Sequence, residues 1–389
     1  MRAQLSRRQL LAGAALAATA AACGNGDEDT PSAASPTTAK PAGGATSAAL
    51  DEAAIRRKVA SLLVVGFRGT SAPDWMVRAV RDHGIGGIIL FDTDQLTGQK
   101  RNIISPAQAK ALVSSLQSAG GGNLIVSIDQ EGGQISRLNP SNGFPASQSQ
   151  EQVGAVNQAA HTTAWAQGLV NSMKSIGATM NYAPVVDLDV NPSNPAIGEL
   201  GRSFSADPNI VVANATEEIK VHRAGRIKTS IKHFPGFGSA TGNTDFDVVD
   251  VSSTWKRAEL EPFQRLIDTG MTDSVLVAHL LNKQLDAERP MSLSRKVVTD
   301  LLRGRLGWQG PVVSDDMQAT GITERYSTAD AFTFAVQAGV DLLVYANQQV
   351  YNTKIVDELL GVAVQRVRSG ALTMAQIDAA VARVDKLRP

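Results

Sequence analysis

GPVVSDD, residues 310–316, is an apolar run that stops at two carboxylates. It shows no polar alternation, so it suits a strand buried on both faces, as in a parallel sheet. Seven further runs share this make-up: SLLVVGF (61–67), GIGGIILF (84–91), NLIVSID (123–129), ATMNYAPVVDL (178–188), IKTSIKHF (227–234), TDSVLVAHL (272–280) and GVDLLVYA (339–346). Between them lie helix-like segments: PAQAKALVSSLQSAG, QAAHTTAWAQGLVNSMKSIG, PNIVVANATEEIKVHRAG, AELEPFQRLIDTG and SRKVVTDLLRGRLG. Each ends in Gly, as helix C-termini often do. Eight strands alternating with helices predict an α/β fold, a (β/α)8 TIM-type barrel forming one domain over residues 50–389. A doubly wound sheet is the alternative. The count of eight and the lack of G-x-G-x-x-G after the first run weigh against it.

A barrel places functional side chains where its strands end at the C-terminal face. The run ends supply Asp92, Asp129, Asp187, Lys232, His233, His279 and Asp315. Loops begin at strand ends, so one or two polar residues there need no further reason. A Lys-His pair together with several carboxylates at one depth is harder to explain that way.

The formal charge is zero, with 37 basic and 37 acidic residues, which offers no basic surface for nucleic acid. A small or neutral ligand is the expected partner. The N-terminus, MRAQLSRRQLLAGAALAATAAAC, has a twin-arginine pair at Arg7 and Arg8, a short apolar run and small residues before Cys23. This predicts a signal peptide over 1–22 of the twin-arginine lipoprotein type, with Cys23 as the lipidation site. Plain secretion is the alternative. Cleavage would remove Arg2, Arg7 and Arg8 and no acids, leaving the chain net acidic by three. Residues 23–49, rich in Ala, Ser, Thr, Pro and Gly, read as a flexible tether. The expected location is outside the cytoplasmic membrane, anchored by lipid or secreted.

DQEGGQISRL (129–138), NYAPVVDLDVNPSNPAIG (181–198), GRSFSADP (201–208), KHFPGFG (232–238), VAHL (277–280), PMSLSRKVVTDLLRGRLGWQGPVVSDDM (290–317) and AGVDLLV (338–344) occur in this order. Together they resemble glycoside hydrolase family 3, and within it the single-domain bacterial β-N-acetylglucosaminidases that trim cell-wall fragments. The resemblance spans essentially all of residues 50–389. It implies a retaining mechanism without cofactor or metal, and Asp315 as nucleophile. Position agrees, since Asp315 ends the seventh strand, while Asp316 suits a capping role. The resemblance also implies sugar binding by Asp129, Arg137, Arg202, Lys232 and His233. Arg137 could instead pair with Glu131, and Lys232 could in principle form a Schiff base. His279 reads as a wall residue behind the site. The implied substrate is a β-linked amino-sugar glycan, and the expected state is a monomer.

The sequence departs from that family in the loop KHFPGFGSATGNTDFD (232–247). Family members carry an Asp and, two residues later, a His that acts as general acid/base. Here those positions hold Asn243 and Asp245, and Phe237 replaces an earlier His. The five histidines, at 83, 161, 222, 233 and 279, all lie outside the segment 234–247. Asp245 is the candidate acid/base, provided an apolar site raises its pKa, with Phe237 and Phe246 expected to supply the surroundings. Asp247 is the second candidate, and a mobile loop closing over substrate would fit either. Alternatively Asn243-Thr244-Asp245 is only a turn. The chain would then bind glycan, or cleave only activated substrates. A β-glucosidase-like specificity and a metal-dependent barrel hydrolase using His233, His279, Asp129 and Asp315 are further alternatives.

Overall fold

The computed structural model describes residues 51–389, so the predicted signal peptide, Cys23 and the tether lie outside the described residues. Eight parallel strands close into a barrel. They are β1 (Leu63–Gly66), β2 (Gly87–Leu90), β3 (Ile125–Ile128), β4 (Met180–Asn181), β5 (Lys228–Phe234), β6 (Ser274–Val277), β7 (Val312–Asp316) and β8 (Leu342–Tyr345). Each falls within one of the eight apolar runs. Closure is made by β1 beside β8, with Leu63 opposite Leu343 and Val65 opposite Tyr345. The predicted (β/α)8 architecture holds.

The run 178–188 is the least regular. Only Met180–Asn181 belongs to the continuous ladder. Pro184 has no N–H to give, but the Ala183 and Pro184 carbonyls accept the Ser230 and Lys232 amides at 3.1 and 3.2 Å, and the Val186 amide donates to the Lys232 carbonyl at 2.8 Å.

The five predicted helices form at Pro106–Ala119, Ala159–Ile176, Pro208–Ala224, Glu261–Asp268 and Lys296–Arg305, the last wound with wide turns. The first shows why. Ser105 accepts the Gln108 amide, Pro106 starts the helix, and Ala109, Leu112, Val113 and Leu116 bury one face. Gly177 ends the second helix at φ +83°, a conformation that needs glycine. Further helices, Glu52–Ala60, Asp74–Arg78 with its continuation Ala79–His83, Gln150–Val156, Thr320–Thr323, Thr328–Ala338, Ile355–Arg368 and Met374–Val384, add to the shell.

The barrel seam is fixed by a residue that no sequence pattern marked. Arg101 is buried, its Nε donating to the Phe67 carbonyl at 2.8 Å. Its Nη1 bonds Asp94 Oδ2 at 2.9 Å, the Asn347 carbonyl at 3.0 Å and Gln348 Oε1 at 2.8 Å. Its Nη2 reaches the Ala346 carbonyl at 2.9 Å. One guanidinium thereby gathers the segments after β1, β2 and β8 where they meet. Burial lowers its pKa to about 10, so it stays charged at neutral pH. Arg101→Met should leave Asp94 and three carbonyls short of a donor. We expect a loss of about 3–5 kcal/mol of stability, as for other broken buried pairs, read as a lower urea midpoint by circular dichroism.

Candidate active site

A cavity of about 350 Å³ opens at the C-terminal ends of the strands. Asp129, Arg137, Arg202, Lys232, His233, Asp245 and Asp315 all line it, brought from six separate segments. Of the residues given a catalytic or sugar-binding role from sequence, Asp247 is the one among the described residues that stays outside, and Asp187, His279 and Phe246 are not part of the lining either. It is exposed and its carboxylate accepts the Val248 amide at 2.7 Å.

The floor is organised by Glu131, which sequence reasoning weighed only as a possible partner of Arg137. Residues 130–132 continue from β3 into a short antiparallel hairpin with Ile135–Ser136. Extended chain points residues i and i+2 the same way, so Asp129 brings Glu131 with it. That alternation was the available signal. Glu131 is buried and takes Arg202 in a fork, with Nε to Oε2 and Nη2 to Oε1 both at 2.7 Å. The Lys232 ammonium lies 2.7 Å from Glu131 Oε1 and 2.7 Å from Asp129 Oδ1. Burial alone would raise the Glu131 carboxyl, but Arg202 and Lys232 outweigh it and hold it far below the usual carboxylate range. Burial also opposes the Lys232 charge, yet Asp129 and Glu131 raise its pKa. A firmly protonated, doubly paired amine does not suit Schiff-base chemistry. Arg137 is not the partner of Glu131. It stands 3.7 Å from Asp129 Oδ2, with its guanidinium 5.2 Å from the Phe91 ring centre.

His233 is held from both sides. Its Nδ1 lies 2.6 Å from Asp187 Oδ2, and Arg202 Nη2 faces its Nε2 at 3.3 Å. Arg202 can only donate, so the ring proton belongs on Nδ1. His279 is likewise occupied, with Ser292 Oγ at 2.6 Å and the Asp316 carbonyl at 2.9 Å. It stands behind the seventh strand end as a wall residue. Neither imidazole has a nitrogen left for a metal ion in this arrangement, contrary to the metal-hydrolase alternative.

The segment Lys232–Ala240 is buried and clamped rather than loose. Asp187 accepts the Phe237 amide at 2.7 Å and the His233 amide at 3.1 Å, and Asn194 Nδ2 donates to the Phe237 and Gly238 carbonyls. Gly238 packs so closely that a Cβ there would stand 1.8 Å from the Leu188 carbonyl. The expected free-closing loop is therefore not what this segment offers. Phe237 is buried against the His233 ring, 5.5 Å between centres.

Beyond Gly242 the chain makes a turn. Asn243 Oδ1 accepts the Asp245 amide at 2.9 Å, and its carbonyl accepts the Phe246 and Asp247 amides at 3.0 Å. The turn is tied to the segment after β7, where the Gly321 amide donates to the Thr244 carbonyl at 2.9 Å and Thr320 to the Asp245 carbonyl at 3.3 Å. Turn and acid were posed as alternatives, but Asn243 caps the turn while Asp245 faces the cavity. One expectation fails: Phe246 is 61% exposed and does not shield Asp245. The surrounding protein does so instead. Burial, followed by the charge of Asp315, pushes the Asp245 pKa up to about 6.

Asp315 shifts the other way. Burial opposes its charge, but His279, His233, the Asp316 amide at 2.8 Å and Lys232 together hold its carboxyl below the usual range. Asp316 accepts the Gln318 amide at 3.1 Å and the Ala346 amide at 3.0 Å, but it does not cap the following helix as expected, since Thr320–Thr323 starts at Ala319 with no side-chain cap. Two facing carboxyls with pKa values driven apart can divide the roles of proton donor and nucleophile.

Residues 54–387 match the glycosyl hydrolase family 3 N-terminal domain. The chain is 32% identical over 345 residues to beta-hexosaminidase LpqI of Mycobacterium tuberculosis, covering 86% of this chain and 82% of that protein. It is 28% identical to beta-hexosaminidase A of Pseudoalteromonas piscicida over 82% of its own length, but spans only 56% of that relative. Among solved structures it resembles a family 3 beta-N-acetylglucosaminidase from Paenibacillus (TM-score 0.77, 30% identity), covering 85% of this chain and 61% of that one. It also resembles beta-N-acetylhexosaminidase from Beutenbergia cavernae (TM-score 0.75, 30% identity), covering 85% of this chain and 97% of that one. The ordered motifs, the barrel and these likenesses lead to one conclusion: the chain belongs to glycosyl hydrolase family 3.

Proposed function

We propose that this chain is a retaining glycosidase that removes terminal β-linked N-acetylglucosamine. The observation that carries this reading is the pair Asp245 and Asp315, sharing one cavity with opposite pKa displacements. The relatives named as β-hexosaminidases and β-N-acetylglucosaminidases support the choice of sugar.

In the first step Asp315 attacks the anomeric carbon while Asp245 gives its proton to the glycosidic oxygen, which leaves as an alcohol. In the second, the Asp245 carboxylate takes a proton from water as that water displaces Asp315 from the glycosyl ester. The β configuration returns and Asp245 is again protonated. Sugar hydroxyls fit the polar valences that the floor leaves open. Asp129 Oδ2 has only the distant Arg137, and Lys232 has one N–H beyond those facing Asp129 and Glu131. Arg202 and His233 engage Glu131, Asp187 and one another, so they mainly set the floor's geometry. The cavity residues all come from one chain, so a monomer suffices for this chemistry. The reading extends to cell-wall fragments as substrates outside the cytoplasmic membrane, with Cys23 carrying the lipid. The signal-like N-terminus supports that extension.

Two tests separate this reading from a glycan-binding protein without turnover. The first compares 4-nitrophenyl β-N-acetylglucosaminide with a natural disaccharide. Asp315→Asn should cleave neither, with kcat down by at least about 10³-fold. Asp245→Asn should lose the disaccharide yet keep the activated substrate, whose leaving group needs little protonation. Wild type binding sugar while cleaving neither would refute the enzyme.

The second is the pH profile of kcat/KM. Asp245 must enter protonated, so activity should fall as pH rises through about 6. Asp315 must enter ionised, and its lowered pKa places the acid limb below the ordinary carboxylate range. As the two carboxyls interact, the limbs belong to the pair. Asp245→Asn should abolish the alkaline limb on the activated substrate.

A further inference from the structure

We propose that a second cavity, at the N-terminal end of the barrel, binds a small oxyanion ligand, a carboxylic acid or a phosphate ester. This cavity is about 340 Å³ and lies between the helices Lys296–Arg305 and Met374–Val384 and the chain that enters β8. Asp341 stands at that entry, just before Leu342, whereas Asp315 lies at the opposite end of its own strand. No described residue lines both cavities, so the second site does not depend on the glycosidase activity.

The lining carries the guanidinium groups of Arg295, Arg303 and Arg383 and a single carboxylate, that of Asp341. Asp341 is completely buried and its oxygens are already taken. Its Oδ2 accepts Arg303 Nη2 at 2.7 Å and the Val312 amide at 2.9 Å. Its Oδ1 lies 2.9 Å from Arg383 Nε and 2.8 Å from Arg383 Nη2. A carboxylate offers about four lone-pair sites, so none is left for a third cation. Arg295 is exposed and pairs with no acid among the described residues. Burial lowers the Arg303 pKa and the nearby Arg383 charge adds to the fall, against the pull of Asp341. Three cations around one anion thus leave positive charge unbalanced in a single cavity.

The cations are also held in place without a ligand. Arg303 donates to the Gly310 carbonyl at 3.0 Å and the Gly339 carbonyl at 2.9 Å, and Thr299 ties the same helix to the Ala338 carbonyl at 2.7 Å. Arg383 uses Nε and Nη2 on Asp341, and its Nη1 has no acceptor among the described residues. Fixed guanidinium groups match the planar fork of a carboxylate or phosphate. The first turn of Met374–Val384 supplies Ala375 and Gln376 to the lining, and a helix N-terminus adds partial positive charge there. The volume falls among small-molecule sites, which suits an organic acid or a phosphate ester better than a bare ion.

The test is isothermal titration calorimetry of the full chain with inorganic phosphate and with citrate, at one low ionic strength set by sodium chloride. Arg295→Gln removes the exposed cation. Gln376→Glu keeps the capping box with Thr373, because Glu serves at that position as Gln does, yet adds a carboxylate to the lining. Wild type should bind at least one of the two anions saturably, and each substitution should weaken that binding about tenfold, the scale of one charge-assisted hydrogen bond. Tighter binding of phosphate would point to a phosphate ester, and tighter binding of citrate to a carboxylic acid. The wild-type melting temperature should rise with the same anion over the same concentrations. Absence of saturable binding by wild type overturns the proposal. So does binding that either variant leaves unchanged, which would put the anion elsewhere, for example beside Arg137 and Lys232 in the catalytic cavity.

Discussion

The carboxylate of Asp187, completely buried, is the hinge on which the site is built. It receives the His233 amide, the His233 ring and the Phe237 amide, and so fastens the end of the fourth strand run to the segment that leaves the fifth. Lys232 and His233 enter the cavity on one side of that fastening, and the turn carrying Asp245 follows on the other. A charge with no solvent is costly unless its oxygens are fully engaged. Here backbone donors engage them, and this fixes the main chain as well as the side chain.

The floor solves a related problem. Asp129, Glu131 and Asp315 crowd one region, and like charges at such separations repel. Lys232 and Arg202 stand between them, and Arg137 approaches from the wall. The cations keep Glu131 ionised and help to keep Asp315 so. Asp245 has no close ionic partner, and its pKa rises. The opposite displacements of the two carboxyls thus come from different surroundings: burial and the Asp315 charge for Asp245, and His279, His233, the Asp316 amide and Lys232 for Asp315.

Much of the barrel was legible because a strand buried on both faces writes an uninterrupted apolar run. The boundaries of the fourth strand were less so, because its pairing turns irregular after Asn181 while its hydrophobicity continues. Asp315, Asp129, Lys232 and His233 could be found because strand ends and functional residues coincide in this fold. Arg101 and Glu131 were not found. Their partners come from segments far apart in sequence, such as Phe67 and Asn347 for Arg101 and Arg202 for Glu131, and the one local signal was the i, i+2 step that turns Glu131 the same way as Asp129. Phe246 was misread for a similar reason. Its neighbour in sequence faces inward, and adjacency was taken for shielding, whereas alternate residues of a turn diverge. Asn243 shows the reverse, a turn residue readable from sequence whose second consequence was the placement of Asp245.

The main-chain ties between Thr244, Asp245 and the segment Thr320–Gly321 reach further than local order. They join the turn bearing Asp245 to the segment that follows the strand bearing Asp315 through carbonyls and amides, main-chain groups that do not depend on the side chain. The location of position 245 is thereby independent of what side chain stands there. Such a position behaves as an interchangeable fitting. A frame of this kind could exchange one proton carrier for another with different charge and acidity while the main chain around it stayed in place.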